Sequence, residues 1–414
     1  MYRFNLSGCN NRIYSGFIVL LAVFGVTLSP SAIAQGTQYE QPPVFRASSF
    51  LPQEMQAGTS YNKLKEQVGT QGMLYSFELW SRYGWYHPES LDMLRIRLAE
   101  IRALDTLTSM QQDPLFLEGV GDQMKGTVES TVDAVKHPFR TLADVPLGLE
   151  KFGRQVGAKM EEGDTLPDEN IRGIHEEAKR KLAVSLGVDP YTDNQLLQNA
   201  LNDVATNKNR GALLGRAGTA FIPAVGPALS AAHLNKGLQD RLANLTSAEL
   251  QQETRNTLSA LGAPRVEVDR FMSNPGYTPT TRAVIAEALA GLRGVSGVQD
   301  TLRMIQVVPS REVAHFYQRR VQLAESFHRS ARPLDKMVAV GATPVFVDKE
   351  GTTVIAAPVD FLYWNEDLAR RVQLVKNKIG DRKCELYITG TASDLAKQNL
   401  ASAGVSVHEK AGTN

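Results

Sequence analysis

Two Glu-x-x-His pairs, Glu312 with His315 and Glu325 with His328, are the side chains in this sequence that most invite a chemical reading. Three-residue spacing sets both members of a pair on one helical face, as in di-iron carboxylate bundles. Both pairs fall within one uninterrupted helical pattern from Ser310 to Ser330. They are thirteen residues apart, which is about 20 Å along the axis and about 220° further round it, modulo full turns. A shared metal site needs the pairs on two facing helices. Polar pairs directed to solvent or to neighbouring helices are therefore expected, and no metal. Phosphate-loop spacings, a Gly-x-Ser-x-Gly elbow and His-Glu-x-x-His are all absent from the sequence, and no cofactor is expected.

The second candidate lies near the C-terminus. Asp360 stands beside Tyr363 and Trp364, an acid next to two aromatics that together form a candidate binding edge. Gly390-Thr391-Ala392-Ser393 joins an expected strand to an expected helix, so backbone N–H groups there could hold an anion. N-capping by Ser393 is the simpler reading. Cys384 sits in a strand-like run and is expected to be a buried hydrophobe, not a nucleophile.

The elements that must position these groups follow from periodicity. Tyr61 to Val68, Met73 to Trp80 and Tyr83 to Tyr86 read as strands of a small antiparallel meander, although both faces of the middle piece carry apolar residues. A helix from Pro88 to about Met110 has the stripe Leu91, Leu94, Leu98, Ile101, Leu104 for packing on that meander, with Arg95, Arg97, Glu100 and Arg102 on the solvated side. Residues 115–330 read as mainly helical. Thr192 with Gln195 and Thr246 with Glu249 are spaced as capping boxes. After Arg332-Pro333 the pattern becomes strand, hairpin, strand, helix, strand, helix, strand, and its last three elements form a parallel β-α-β unit. The fold class expected is α+β: a small N-terminal β-meander, a mainly helical middle and a small C-terminal αβ domain. The ranges are 1–34 signal peptide, 35–58 extended segment, 59–110 meander plus helix, 111–332 helical domain and 333–414 αβ domain.

The address is written at the start. Arg3 and Arg12 precede the apolar run Gly16 to Leu28, and Ala32-Ile33-Ala34 offers a small-x-small cleavage site before Gln35. The lipoprotein-like Leu6-Ser7-Gly8-Cys9 precedes the apolar core and so lies on the wrong side of it. A periplasmic or secreted protein is expected. With Arg3 and Arg12 removed, the 45 basic residues become 43 against 44 acidic ones. That balance gives no global field to gather nucleic acid. Ala217 to Ala232 has 16 residues without charge, interrupted by Pro223 and Pro227. It is short for a span and reads first as a buried helical segment and second as a membrane contact.

Leu94 to Leu107, His137 to Phe152, Leu186 to Leu197, Val359 to Trp364 and Ile388-Thr389-Gly390 resemble segments of a set of exported proteobacterial proteins with no assigned activity. The resemblance implies an envelope address and transfers no functional residue. The function expected is an exported cell-envelope protein acting through an envelope protein partner. The alternatives are a periplasmic hydrolase, its site in a cleft lined by Asp360, Trp364 or Ser393, and a membrane-associated protein acting through Ala217 to Ala232.

Overall fold

The structure, a computed structural model, describes residues 39–56, 62–112, 169–207, 234–306, 308–341 and 343–412. The expected signal peptide, 1–34, the expected helical stretch 115–168 and the Ala217 to Ala232 segment lie outside the described residues. The elements below belong to one packed unit that begins at Glu40.

Where one meander was expected, the chain builds two small antiparallel sheets. Strands β1 (Phe45–Arg46), β3 (Gln67–Gln71) and β4 (Leu74–Ser76) form one, in the order β1-β3-β4; β2 (Asn62–Leu64), β5 (Leu79–Ser81) and β6 (Gly84–Tyr86) form the other, in the order β2-β5-β6. The strands part around Phe77, whose N–H donates to Pro88 O at 3.1 Å. Tyr75, Phe77 and Leu79, alternate residues of one face, share a core with Val68, Leu94, Leu98 and Ile101, whereas Met73 packs into the core of the C-terminal sheet.

Helix α1 (Leu91–Gln111) packs on these sheets, as its stripe requires. It begins three residues later than Pro88 because Ser90 is the cap: its Oγ accepts from the Met93 N–H at 3.2 Å. The other end of α1 packs through Leu104, Leu107 and Met110 against helices α2 (Glu169–Ser185) and α3 (Gln195–Thr206). The solvated-side reading of Arg97 and Glu100 is corrected here. Glu100 is 2% exposed. It accepts from Arg97 Nη1 at 2.7 Å, from Asn194 Nδ2 at 3.3 Å and from the Thr192 hydroxyl. Arg97 also forms a fork on Asp193, at 2.9 and 3.2 Å. The capping box expected at Thr192 does not form: α3 starts later, with Asn194 as its cap accepting from Leu197 N–H, while the Thr192 hydroxyl accepts from Asn194 N–H. The Thr246–Glu249 box does form, at the start of α5 (Ser247–Ala260), which follows α4 (Lys236–Asn244).

Helices α6 (Arg265–Ser273), α7 (Pro279–Gly291), α8 (Thr301–Ile305) and α9 (Arg311–Ser330) complete the middle. Their core of Phe271, Ile285, Leu289, Leu302 and Val321 continues without interruption into Met337, Phe346, Val354 and Ala356 of the C-terminal sheet. That sheet comprises β7 (Leu334–Val340), β8 (Thr343–Asp348), β9 (Thr353–Ala357), β11 (Cys384–Ile388) and β13 (Val405–His408), in the order β13-β11-β9-β8-β7. Strands β9, β11 and β13 are parallel, and β7 and β8 close the sheet as an antiparallel hairpin. Its other face is covered by α10 (Glu366–Ile379) and α11 (Asp394–Ser402) through Leu368, Val375, Ile379 and Leu400. The sheet thus has helices on both faces, which the two-sided apolar strands require. A short parallel pair, β10 (Phe361–Leu362) with β12 (Thr391–Ala392), extends beyond the ends of β9 and β11.

Truncating Arg97 leaves two carboxylates facing each other in a buried polar knot. Arg97→Ala is expected to lower the unfolding free energy by about 3 kcal/mol, read from urea denaturation. A loss below about 1 kcal/mol would show the knot to be solvated.

Candidate functional site

A cleft of about 710 Å³ opens where the N-terminal sheets, α9 and the loops after β9 and β11 meet. It lies outside the carboxyl ends of two parallel strands, where open α/β sheets place their ligands. Gly390 makes the meeting of the two loops feasible. A Cβ there would stand 1.8 Å from the Asp360 carbonyl oxygen, while Gly390 N–H donates to Val359 O at 2.8 Å and Thr391 N–H to Asp360 O at 3.1 Å.

Asp360 forms the floor of the joint. Its Oδ2 accepts the N–H of Tyr75 at 2.9 Å and that of Leu91 at 3.1 Å. Its own N–H and that of Phe361 both donate to Met73 O at 3.1 Å. Leu91 is the first residue of α1, so the carboxylate sits at the positive end of that helix. Burial nevertheless outweighs these donors. It pushes the Asp360 carboxyl up to about 7, with the neighbouring Asp92 charge adding to the rise.

The opposite wall is one face of α9. Glu312, His315, Phe316 and Arg319 recur at the spacing of a helical stripe and all line the cleft. Asp92 gathers the basic groups: Arg319 Nε lies 3.0 Å from its Oδ2, Arg95 Nη1 3.1 Å from Oδ1, and His315 Nε2 3.9 Å from Oδ2. Phe50 and Phe316 supply aromatic surface.

Of the four residues singled out in sequence, only Asp360 reaches the cleft. Tyr363 and Trp364 are 4% and 6% exposed and pack into the core beneath α10 and α11. The binding edge drawn through them is therefore an internal packing edge. Ser393 caps α11, accepting from Ala396 N–H at 3.1 Å, and donates to Glu40 Oε2 at 2.6 Å. Glu40 Oε2 also takes the Trp364 N–H at 2.5 Å, and Glu40 N–H donates back to Trp364 O at 2.7 Å. The backbone N–H groups of Gly390 to Ser393 are themselves taken, by Val359 O, Asp360 O, the Glu409 carboxylate and Leu362 O, so the anion position read there is already satisfied from within the chain.

The two Glu-x-x-His pairs part company on α9. Glu312 and His315 enter the cleft. His328 Nδ1 instead accepts from Leu334 N–H at 2.9 Å, and Glu325 packs over Gly291 and pairs with Arg329 at 3.6 Å. Among the described residues no group of three or more His, Cys, Asp or Glu has the arrangement to hold a metal ion. Burial pushes the Cys384 thiol up to about 11, so the thiolate a nucleophile needs is scarce. Among the described residues no helix is long and apolar enough to cross a membrane. Compared with protein-family models, curated proteins and solved structures, the chain matches none.

Asp92 and Arg319 escaped the sequence reading because their pairing joins residues 227 apart, and Arg95, expected on the solvated side of its helix, lines the cleft and pairs with Asp92 within α1. The mixed stripe Glu312, His315, Phe316, Arg319 was a usable signal, since a charged and aromatic face on an amphipathic helix must meet something other than a dry core.

The Asp360 carboxyl holds its proton more tightly in the fold than in the unfolded chain, where its ordinary value is 3.8. The folded state therefore binds more protons between those two values. The stabilisation is complete below the unfolded value and is lost as pH rises through about 7. Asp360→Asn keeps an oxygen for both N–H donors and removes the titration. It is expected to abolish about 2 kcal/mol of the stability lost between pH 5 and pH 8, read from urea midpoints at both values. An unchanged pH slope would exclude Asp360 as its source.

Proposed function

We propose that this is an exported cell-envelope protein that works by binding a partner protein, and that the cleft is where the partner docks. The observation that carries the reading is the cleft itself: three segments distant in sequence converge on it, with aromatic surface and ionic groups side by side. Its arginines are hydrogen-bonded to Asp92 and orient no nucleophile. Such a lining suits recognition of an extended chain segment with both apolar and charged side chains. The envelope address rests on the Arg3 to Ala34 leader pattern.

A second reading is a hydrolase acting on an envelope component. The specific observation in its favour is Asp360, a carboxyl that exchanges its proton near neutral pH at a cleft wall. Loss of fragment release from isolated envelopes on Asp360→Asn would favour it over simple binding.

Docking is tested by placing a photoreactive amino acid at Glu54, an exposed cleft residue, and separately at Val266, which is 55% exposed on α6. Irradiation in intact cells is expected to give a discrete adduct from position 54 and none from position 266. The same adducts at both positions, or none at 54, would contradict the reading.

A further inference from the structure

Eight charged side chains line the cleft, and their pairing is uneven. Five are acids: Glu54, Glu89, Asp92, Glu312 and Asp360, of which buried Asp360 carries the least charge near neutral pH. Three are full cations: Arg95, Arg319 and Lys410. Both arginines are spent on a single acid, Asp92. Asp360 is held by backbone N–H groups alone. Glu54, Glu89 and Glu312 form no ion pair among the described residues.

The carboxylates come from four separate parts of the chain: the turn before β2, the approach to α1, the first turn of α9 and the loop after β9. They are therefore gathered by the fold and do not follow from one acidic run. Carboxylates facing a common space raise its negative potential, and cleft walls of low dielectric concentrate that field. Phe50 and Phe316 stand among them. Aromatic faces beside carboxylates suit a side chain that is apolar along its stem and cationic at its tip.

We propose that the segment received by the cleft is basic: a stretch of the partner protein that lays lysine or arginine side chains between the aromatic walls and sets their charges against Glu89, Glu312 and Glu54. This rests on the docking reading and supplies its missing chemistry. The balance of charge is what selects a basic occupant. An acidic segment would face Glu54, Glu89 and Glu312, none of them in an ion pair among the described residues, and find both arginines already bound.

The test uses three peptides of equal length bearing the same fluorophore, alternating Ala with Lys, with Gln or with Glu. Their binding to the mature full chain is followed by anisotropy at low salt. The Lys peptide is expected to bind more than tenfold tighter than the Gln peptide, to weaken as salt is raised, and to leave the Glu peptide unbound. Glu89→Gln with Glu312→Gln is expected to cut Lys-peptide affinity about tenfold. The remote exposed pair Glu176→Gln with Asp240→Asn is expected to leave it within about twofold. Equal binding of the Gln or Glu peptide, equal weakening by the remote pair, or no Lys-peptide binding would overturn the proposal. Cross-linking from position 54 reports an occupant of any charge, so the docking reading stands or falls separately.

Discussion

One carboxylate group joins the two ends of this chain. Asp360 lies in the loop after β9, and its Oδ2 accepts backbone N–H groups from Tyr75 and Leu91, the first of them 285 residues away in sequence. A buried acid with two backbone donors cannot give them up cheaply, because each amide would then be left without a partner. The N-terminal sheets and the start of α1 are fixed to the C-terminal sheet by this need. The Met73 carbonyl repeats the attachment by accepting from Asp360 and Phe361.

Other contacts repeat it from different directions. Glu40 ties the start of the packed unit to Trp364 and Ser393. Arg319 of α9 reaches Asp92 of α1. The helical middle shares its apolar core with the sheet through Phe346 and Val354. The cleft is what remains between these attachments. It is bounded by the N-terminus of α1, one face of α9 and two strand-end loops that Gly390 allows to touch. Its polarity follows from its construction: helix starts and strand ends bring unpaired backbone groups, and acidic residues are favoured beside helix N-termini.

The local parts of this arrangement were legible in sequence. Periodicity marked α1, α9, the C-terminal strands and the parallel β-α-β end, and the Thr246–Glu249 spacing marked a capping box that forms. What failed was decided by tertiary contact. Asn194 took the cap that the Thr192 spacing suggested, and Glu100 was drawn inward by Arg97, Thr192 and Asn194. An aromatic pair beside an acid looks alike at a surface and in a core, so the sequence does not separate Tyr363 and Trp364, which are buried, from Asp360, which lines the cleft. The α9 stripe carried more information than the Glu-x-x-His spacing within it, since Phe316 and Arg319 belong to the same wall.

The central claim is that Asp360 fixes the N-terminal sheets to the C-terminal sheet as part of the cooperative fold. Amide-resolved hydrogen exchange of Tyr75 and Leu91 near neutral pH tests it most directly. If Asp360 holds the joint, both amides exchange only through opening events close in free energy to global unfolding. Exchange of either amide through a low-energy local opening, while the amides of β9 and β11 stay protected, would show that the two ends are merely adjacent and that the cleft is not a fixed feature of the molecule.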